Sequence, residues 1–320
     1  MTLSACAAWQ RPIVNVSPSA VPALSDDLDA QSFRTVVERT APFWQQTGRL
    51  GALRAARQLA TVLETTPDPV ARQKALAGAF RVLRVRDPLL LTSYYEPEIR
   101  VSERPDDVYR HPIYRRPPHL TDPYYTRAQI DAGALAGRGL ELGWTDDALQ
   151  LFLLQVQGSG KSRFPDGHVA AIRYAGTNGQ PYKSLGLALV QHGLLPKDGA
   201  SLFAIRRVFA TLPEAEQRAY MQENPRFVFF TMTDAAKGPI GNMGVELTPM
   251  RSVATDPALL PAGTIGYVVT PTIRRFVVAQ DIGGAVRGAH ADLYAGSGQA
   301  AEDFAGRQKE RGVMYVFAPL

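Results

Sequence analysis

An acidic residue stands where an apolar, β-prone run ends, and two glycines follow it closely. Residues 276–280 form the run, Asp281 ends it, and Gly283 and Gly284 come next. A carboxyl group at the mouth of a strand in a poorly hydrated groove has a raised pKa, as a general acid near neutral pH requires. Neighbouring glycines leave space for a sugar ring and expose backbone groups for hydrogen bonds. The same pattern fits a plain turn capped by an Asp, so both interpretations stay open here.

Other catalytic and metal-binding patterns are missing from the sequence. The five histidines lack the pairwise helical spacing of a zinc site, and a single cysteine excludes a multi-cysteine site. The segment Gly158-Ser159-Gly160-Lys161-Ser162 resembles the end of a phosphate-binding loop, but Gln155 occupies a position that needs glycine. No Gly-x-Ser-x-Gly nucleophile elbow occurs. The sequence therefore predicts carboxylate chemistry with no metal ion and no other cofactor.

The composition predicts a globular chain with a mildly basic surface. Apolar residues make up 45% of the 320 positions and charged residues 20%, which fits a sizeable core. The length favours two domains, and no apolar run approaches the roughly 18 residues of a membrane-spanning helix. Lysine and arginine number 35 against 30 aspartate and glutamate, but the positive charges are scattered. We therefore expect no binding to nucleic acid, which needs many phosphate contacts.

The segment Leu3-Ser4-Ala5-Cys6 matches a bacterial lipobox, in which a cysteine receives lipid. Only five residues precede Cys6, so the alternatives are a trimmed or misassigned start and a chance match. Residues 9–25 contain three prolines and suit a tether, and Ala7 after the cysteine favours the outer membrane. We therefore expect a lipid anchor at Cys6 and a location at the periplasmic face of the outer membrane, or else in the periplasm.

The chain begins with helical periodicity and then changes to β-strand patterns. Three helices are predicted between residues 26 and 85, the third passing through Leu83. Residues 89–95 form a β-prone run that predicts a strand. Residues 100–125 are rich in Pro, Arg and Tyr, which predicts an irregular linker or long loop.

A β-meander is predicted over residues 145–183. Its first strand covers residues 149–156, and the pair Asn178-Gly179 is predicted to form a two-residue hairpin turn. Helices are predicted next over residues 184–191, 201–211 and 213–224, and strands over residues 226–230, 265–270, 275–280 and 312–317. The spacing of the last strands indicates a small β-barrel.

Several further motifs follow one another along the chain. They are Thr92-Ser93-Tyr94-Tyr95-Glu96-Pro97, Gln155-Val156-Gln157-Gly158-Ser159-Gly160, Tyr174-Ala175-Gly176-Thr177-Asn178-Gly179, Tyr182-Lys183-Ser184-Leu185-Gly186, Arg251-Ser252-Val253-Ala254, Leu260-Pro261-Ala262-Gly263-Thr264 and Ala279-Gln280-Asp281-Ile282-Gly283-Gly284-Ala285. Through them, residues 80–320 resemble the membrane-bound lytic murein transglycosylase A family, which has a C-terminal 3D domain. Ser93 replaces a glycine that is usual in the family, which exchanges one small residue for another.

The resemblance implies a mainly β fold with flanking helices, in which a double-psi β-barrel carries a second, inserted β-domain. The domains expected on this basis are residues 1–25 as a lipobox-like start and tether, residues 26–100 as a helical preamble and the first part of the barrel, residues 101–225 as the inserted β-domain, and residues 226–320 as the C-terminal part of the barrel with the catalytic Asp.

The resemblance also implies an activity. A lytic transglycosylase cleaves the β-1,4 bond between N-acetylmuramic acid and N-acetylglucosamine in peptidoglycan, and one Asp acts as acid and then as base to form a 1,6-anhydro end. That Asp maps to Asp281. Gly283, Gly284 and Asp292 are expected to support it, unless Asp292 is an exposed loop residue. The expected substrate-binding residues are Thr92, Tyr94, Glu96, Gln155, Gln157, Gly158, Ser159, Tyr174, Asn178 and Lys183.

Two other functions remain open. An expansin-like barrel would bind wall polysaccharide without cutting it, although Asp281 beside two glycines argues against this. A nucleic-acid-binding protein would rest on charge alone. The expected partners are peptidoglycan glycan strands, an outer-membrane lipid anchor and proteins of cell-wall synthesis or hydrolysis.

Overall fold

The computed structural model of the protein describes residues 12–17, 20–234 and 238–320, so the predicted lipid attachment at Cys6 lies outside the described residues. Among the residues described, no helix is both long and apolar enough to cross a membrane.

The helices are α1 (Ala30–Gln46), α2 (Leu50–Thr65), α3 (Pro69–Leu76), α4 (Arg127–Gln129, continued by the π-helical turn Ile130–Ala134), α5 (Ala148–Gln157), α6 (Leu185–Gln191), α7 (Leu202–Phe209), α8 (Glu214–Gln222) and α9 (Gln299–Arg307). The strands are β1 (Ile13–Asn15), β2 (Phe80–Val85), β3 (Leu89–Glu96), β4 (Glu98–Ser102), β5 (His111–Tyr114), β6 (Glu141–Thr145), β7 (Gly160–Arg163), β8 (Val169–Thr177), β9 (Val228–Asp234), β10 (Ser252–Thr255), β11 (Ile265–Val269), β12 (Arg274–Asp281), β13 (His290–Ser297) and β14 (Lys309–Pro319).

The chain folds as two compact units. The first is drawn from the chain up to Tyr94, Ile240–Gly296 and Gln308–Leu320, and the second from Tyr95–Pro239 and Ser297–Arg307. The sheet of the first unit has the order β1-β2-β14-β11-β12-β10-β13-β3, and β14 also pairs with β3. Strand β10 runs parallel to β12 and antiparallel to β13. It therefore stands between the strands that carry Asp281 and Asp292.

Helices α1 and α2 pack an apolar face on the sheet of the first unit. Asp29 caps α1 by accepting a hydrogen bond from the backbone N–H of Ser32 at 2.7 Å. Apolar residues recur at three- and four-residue intervals along both helices, which places them on one face. That face and the strands form one buried core. Its large residues are Phe33, Trp44, Leu59, Tyr267, Phe276 and Phe317.

The third predicted helix is shorter than expected. Helix α3 ends at Leu76, and the following Phe80 and Leu83 belong to strand β2. Strand β2 pairs with β1 and β14, so its hydrogen-bond partners come from distant parts of the chain. The helical spacing of these three apolar residues could not reveal that pairing, and tertiary context decided the outcome.

The second unit is built on a sheet with the order β5-β6-β4-β7-β8-β9. The prediction of an irregular linker over residues 100–125 is wrong in part, because these residues include β5 and the end of β4. The three helices predicted after residue 183 are confirmed as α6, α7 and α8. The Ser184 and Ser201 side chains cap α6 and α7 by accepting hydrogen bonds from backbone N–H groups three residues on.

The strand predicted over residues 149–156 is wrong, because these residues form most of helix α5. The Asp147 side chain caps this helix. Leu154 packs into the core below the sheet, whereas Phe152 packs among the other helices. Because α5 is buried on both sides, apolar residues surround it, and the helical period is not visible in the sequence.

The predicted hairpin at Asn178-Gly179 is also wrong, since β8 pairs with β9, which follows three helices later. The Asn178 side chain is fully buried and donates hydrogen bonds to the carbonyl oxygens of Tyr125 at 2.9 Å and Pro225 at 2.8 Å. Its Oδ1 accepts a bond from the Phe227 backbone N–H at 2.8 Å. This asparagine thus ties separate segments together, a role that turn propensity does not indicate.

Candidate active site

Asp281 is the last residue of β12, and buried contacts fix the end of that strand. The side chain of the preceding Gln280 is fully buried and donates a hydrogen bond to Thr40 Oγ1 at 2.8 Å. The same side chain accepts a hydrogen bond from Ser252 Oγ of β10. These bonds tie β12 to α1 and β10, so Asp281 extends from a well-anchored backbone.

The Asp281 carboxyl group accepts hydrogen bonds from a tyrosine hydroxyl and from the backbone. The Tyr94 hydroxyl donates to Oδ2 at 2.9 Å, and the Asn242 backbone N–H donates to Oδ1 at 2.9 Å. Burial raises the pKa of Asp281, whereas the backbone bonds from Asn242 and Ile282 and the bond from Tyr94 oppose this rise. The net direction is upward, which suits a group that must deliver a proton near neutral pH.

Gly241 makes the contact with Asn242 possible. A Cβ atom at Gly241 would lie 2.5 Å from the Gln280 carbonyl oxygen and 2.6 Å from Leu247 Cδ2. Only glycine lets the loop approach the strand this closely. Sequence analysis did not single out Gly241 or Asn242, because Asn242 precedes Asp281 by 39 positions and no local pattern joins them.

The two glycines after Asp281 have different surroundings. A Cβ atom at Gly283 would lie 2.4 Å from Val286 Cγ2 of the same turn. At Gly284, no heavy atom of the described residues beyond the glycine and its two chain neighbours lies within 4 Å of such a Cβ atom. Gly283 is therefore needed for the turn itself, and Gly284 leaves open space next to it.

A second acidic residue of the first unit, Asp292 on β13, is held by a different set of bonds. The Thr92 hydroxyl donates to Asp292 Oδ1 at 2.7 Å, and Thr92 Oγ1 also lies 2.8 Å from His290 Nε2. Burial raises the pKa of Asp292 to about 6; the bond from Thr92 opposes the rise, and the charge of Asp281 adds to it. Asp292 is therefore a strand residue within a polar network.

His290 is a member of this network that sequence analysis missed. It precedes Asp292 by two positions on β13, and side chains two apart on a strand point to the same face. Burial lowers the pKa of His290, and a contact with the Ala285 backbone opposes this effect. A His-x-Asp pair on a strand was the signal that could have revealed it.

The predicted binding residues in the second unit include several buried side chains. Glu96 is 1% exposed and accepts a hydrogen bond from Arg173 Nη1 at 2.5 Å. Gln155 is buried, and its Oε1 has no hydrogen-bond partner among the described residues. Gln157 Oε1 accepts a bond from the Tyr95 backbone N–H at 3.3 Å. Glu96 and Gln157 therefore contribute contacts within the unit itself.

Other predicted binding residues lie in turns or at the surface of the second unit. Gly158 ends α5 with a φ of 83°, and Ser159 follows it with partial exposure. Tyr174 on β8 has 56% of its surface exposed, and Lys183, just before α6, is exposed. Tyr174 thus offers an aromatic surface to a ligand.

The structure brings together two sets of predicted residues in the first unit: Asp281 with Tyr94, and Asp292 with Thr92. The bonds from Tyr94 and Asn242 stabilise the charged form of the Asp281 carboxyl, and burial stabilises its neutral form. Across residues 12–17, 20–234 and 238–320, no group of three or more His, Cys, Asp or Glu side chains is placed to hold a metal ion.

Two family models match the chain, and they cover different parts of it. The MltA specific insert domain matches residues 90–231, and the 3D domain matches residues 251–318. Membrane-bound lytic murein transglycosylase A of Vibrio cholerae is 38% identical over 237 residues, which are 70% of this chain and 64% of that protein. The Escherichia coli protein of the same name is 36% identical over 238 residues, again 70% and 64%. The chain thus spans just under two thirds of the length of these curated relatives.

Solved structures resemble the chain over nearly its whole length. The crystal structure of Escherichia coli MltA with bound chitohexaose has a TM-score of 0.85 at 27% identity, covering 97% of this chain and 95% of that one. Lytic transglycosylase LtgG of Burkholderia pseudomallei has a TM-score of 0.64 at 34% identity, covering 97% and 96%. The extensive sheets and helices therefore form an MltA-like fold, and the chain belongs to the membrane-bound lytic murein transglycosylase A family.

Proposed function

We propose that the protein is a lytic transglycosylase that cleaves the β-1,4 bond between N-acetylmuramic acid and N-acetylglucosamine in peptidoglycan. The observation that carries this proposal is the Asp281 carboxyl group, which lies at a strand end, has a raised pKa and accepts hydrogen bonds from Tyr94 and Asn242. Such a group can act as a general acid near neutral pH. Membership of the MltA family supports the substrate class.

In the first step, Asp281 protonates the oxygen that links the two sugars, and the bond breaks through an oxocarbenium-like state. The carboxylate left behind is stabilised by Tyr94 and Asn242, because both donate hydrogen bonds to it. These donors are in place before the charge develops, so little reorganisation accompanies the step.

In the second step, the Asp281 carboxylate accepts the proton of the muramoyl C6 hydroxyl while that oxygen bonds to C1. The product carries a 1,6-anhydro ring, no water is consumed, and Asp281 regains its proton. One carboxyl group thus acts as acid and then as base, whereas ordinary glycosidases divide the work between two.

The sheet of the first unit is proposed to be a closed barrel of the double-psi type. Strand β14 pairs with both β11 and β3, which joins β3, β13, β10, β12, β11 and β14 in a ring of pairings. The parallel pair β10–β12 within this ring supports a barrel whose strands are connected by crossovers. The domain limits near residues 100 and 225 that the sequence predicts belong to the same proposal.

The proposed substrate is the glycan strand of peptidoglycan. The Escherichia coli relative was crystallised with chitohexaose, a chain of N-acetylated sugars, which supports a site for such a polymer here. Exposed Tyr174 and Lys183 are proposed to contact the glycan strand, the tyrosine ring by stacking and the lysine amine by hydrogen bonds.

The relatives' description as membrane-bound supports a lipid anchor at Cys6 and a location at the periplasmic face of the outer membrane. There it would meet proteins of wall synthesis and hydrolysis.

Mass spectrometry of the fragments released from purified peptidoglycan tests this function. We expect fragments lighter by one water than those of a hydrolase, because the C6 hydroxyl replaces water as the attacking group. Fragments that have the mass of the hydrolysed product, heavier by one water, would show that the protein is a hydrolase. Binding without any release would favour the expansin-like alternative.

A further inference from the structure

The second unit contains a cleft that the proposed cleavage steps do not use. It lies between β5, α4 and α8, and its volume is about 460 Å³. Sites for small molecules commonly have volumes of about 300–1,000 Å³. Buried apolar side chains form part of its wall, namely Tyr114, Ile130, Leu151, Met221 and Phe227. The cleft therefore has room for a small organic molecule, and its wall suits a ligand with a short hydrocarbon chain.

Arg127, the first residue of α4, is a buried cation that lines this cleft. Its residue is 5% exposed, and its Nε and Nη2 donate hydrogen bonds to the carbonyl oxygens of Asn224 at 3.1 Å and Arg226 at 2.8 Å. The guanidinium carbon lies 4.6 Å from the centre of the Phe152 ring, which adds a cation–π contact. These contacts fix the guanidinium group in one position.

The charge of Arg127 is not matched by a carboxylate of the protein. Among the residues that the structure describes, no Asp or Glu forms an ion pair with it, and its Nη1 has no hydrogen-bond partner. Burial lowers the pKa of Arg127 to about 10, so the group stays charged near neutral pH. A buried charge is unfavourable unless it is paired. Nη1 is therefore suited to bind an anionic group of a ligand, such as a carboxylate.

Asp131 brings the opposite charge to the exposed edge of the same cleft. It follows Arg127 by four positions, a spacing that places two helical side chains on the same side. Asp131 Oδ2 accepts a hydrogen bond from Gln222 Nε2 at 3.1 Å, whereas Oδ1 has no hydrogen-bond partner within the described part of the chain. Arg127 and Asp131 form no ion pair with each other. The cleft thus presents a donor for an anion and an acceptor for a cation, and neither satisfies the other.

The other charged groups of the cleft pair with one another. The Glu214 carboxylate accepts hydrogen bonds from Nη2 of Arg110 and from Nη2 of Arg218, each at 3.3 Å. Burial lowers the pKa of His111, so this side chain is neutral near pH 7. Within the described residues, the charges of the cleft that lack an ion pair are therefore the guanidinium and the carboxyl group of α4 and its π-helical turn.

We propose that this cleft binds an α-amino acid group, which carries an ammonium and a carboxylate on one carbon. The carboxylate accepts a hydrogen bond from Arg127 Nη1, and the ammonium donates one to Asp131 Oδ1. Such a group occurs in a free amino acid and in the diamino acid of a peptidoglycan peptide stem that is not cross-linked. The second source rests on the proposed function. It gives the protein a contact with the wall outside the cleavage site.

Calorimetric titration with three small molecules tests the site. The probe is meso-diaminopimelic acid; pimelic acid lacks its amino groups, and cadaverine lacks its carboxyl groups. The wild type should bind the probe about tenfold more tightly than either analogue, the effect of one hydrogen bond to a charged group. Asp131→Asn can keep the Gln222 hydrogen bond but has no charge, so its affinity for the probe should fall to that for pimelic acid. Asp198→Asn, at an exposed position of the same unit, is the matched control and should bind like the wild type.

Arg127→Lys tests the carboxylate contact. Lysine keeps a positive charge but cannot hold both carbonyl oxygens, so affinity for the probe should fall about 10- to 100-fold, whereas affinity for cadaverine should not change. The titration of Asp131→Asn decides even if Arg127→Lys does not fold. Equal affinities of the wild type for the three molecules, or no binding of any, would overturn the proposal. Wild-type affinity for the probe in Asp131→Asn would overturn it as well.

A peptidoglycan fragment distinguishes the two sources of the ligand. The fragment is a disaccharide with a tripeptide that ends in diaminopimelic acid, and the disaccharide without peptide is its control. If the fragment binds like the free probe and the bare disaccharide does not bind, the peptide stem is the source. If the free probe alone binds, the cleft is a site for a free amino acid. If the wild-type protein releases no anhydro fragments, the proposed function fails, whereas the titrations still decide whether the cleft binds an α-amino acid group.

Discussion

Asp281 and Asp292 share one register partner: Ala254 of β10 lies opposite Asp281 on β12 and opposite Asp292 on β13. Neighbouring strands lie about 4.8 Å apart, so the backbones of the two acids are separated by about 10 Å, the width of two strand spacings. A single short strand therefore sets the spacing of both carboxyl groups. At this spacing the charge of Asp281 adds to the rise that burial causes in the pKa of Asp292.

Asp292→Asn should lower turnover moderately and leave the product unchanged. The amide oxygen can still accept the Thr92 hydrogen bond, and Asp281 keeps both of its own donors. We expect kcat to fall about tenfold, the effect of one pKa unit, with fragments that still carry anhydro ends. Complete loss of cleavage in a folded variant would show that Asp292 takes part in bond breaking directly.

Asp292 should also make the wild-type protein less stable as pH rises. Its pKa is raised from 3.8 to about 6, so its stabilising effect is complete below the unfolded-state value and is lost as pH rises through about 6. The difference of about two units corresponds to about 3 kcal/mol. In urea unfolding, the free energy of unfolding of the wild type should therefore fall relative to that of Asp292→Asn as pH rises from about 4 to about 6. A difference between the two proteins that does not change with pH would contradict this.

Tyr94→Phe should move the pH dependence of cleavage upward. The Tyr94 hydrogen bond lowers the pKa of Asp281, so its loss raises that pKa further. Asp281 then stays protonated to higher pH, and the alkaline limb of the kcat/KM profile should shift in the same direction. We expect kcat to fall about 10- to 100-fold, since hydrogen bonds to charged groups contribute roughly 1.5–3 kcal/mol. Tyr109→Phe is the control. If the alkaline limb of Tyr94→Phe lies at the same pH as in the wild type, the Tyr94 hydroxyl does not set the pKa of Asp281.

Gly241→Ala should impair both stability and cleavage. The added methyl group would meet the Gln280 carbonyl oxygen and Leu247, so the loop must shift and carry the Asn242 N–H away from Asp281. Overpacking of this kind costs about 1–3 kcal/mol. The temperature of thermal unfolding and the rate of fragment release should both be lower than in Gly51→Ala. At Gly51, the added Cβ would meet no described heavy atom within 4 Å other than the nearby backbone of its own helix and its chain neighbours. Equal rates for the two variants would mean that the loop contact does not support catalysis.

The position of Asp281 could be predicted because its signals are local. The apolar run of β12, the acid that ends it and the glycines that follow are contiguous in the chain. The helix starts at Ser184 and Ser201 were predictable for the same reason, since a cap acts within one turn.

The partners of Asp281 could not be predicted from local patterns. Tyr94 precedes it by 187 positions, and Thr92 precedes Asp292 by 200, so these contacts exist only because β3 joins the same sheet. Helix α5 was mistaken for a strand for a related reason. Its surroundings are apolar on several sides, and burial removed the polar face that marks a helix in the sequence.

The most direct test of the central claim compares the wild type with Asp281→Asn, by mass spectrometry of soluble fragments and by cosedimentation with peptidoglycan. Asparagine keeps the size of the side chain. Its oxygen can accept the hydrogen bond of the Asn242 N–H while its NH2 group donates to the Tyr94 oxygen, so the variant should fold and bind like the wild type. It has no proton to give, so release of anhydro fragments should fall by at least on the order of 100-fold, whereas Asp198→Asn at an exposed site should release them normally. Equal release from Asp281→Asn and the wild type would show that Asp281 is only a turn residue.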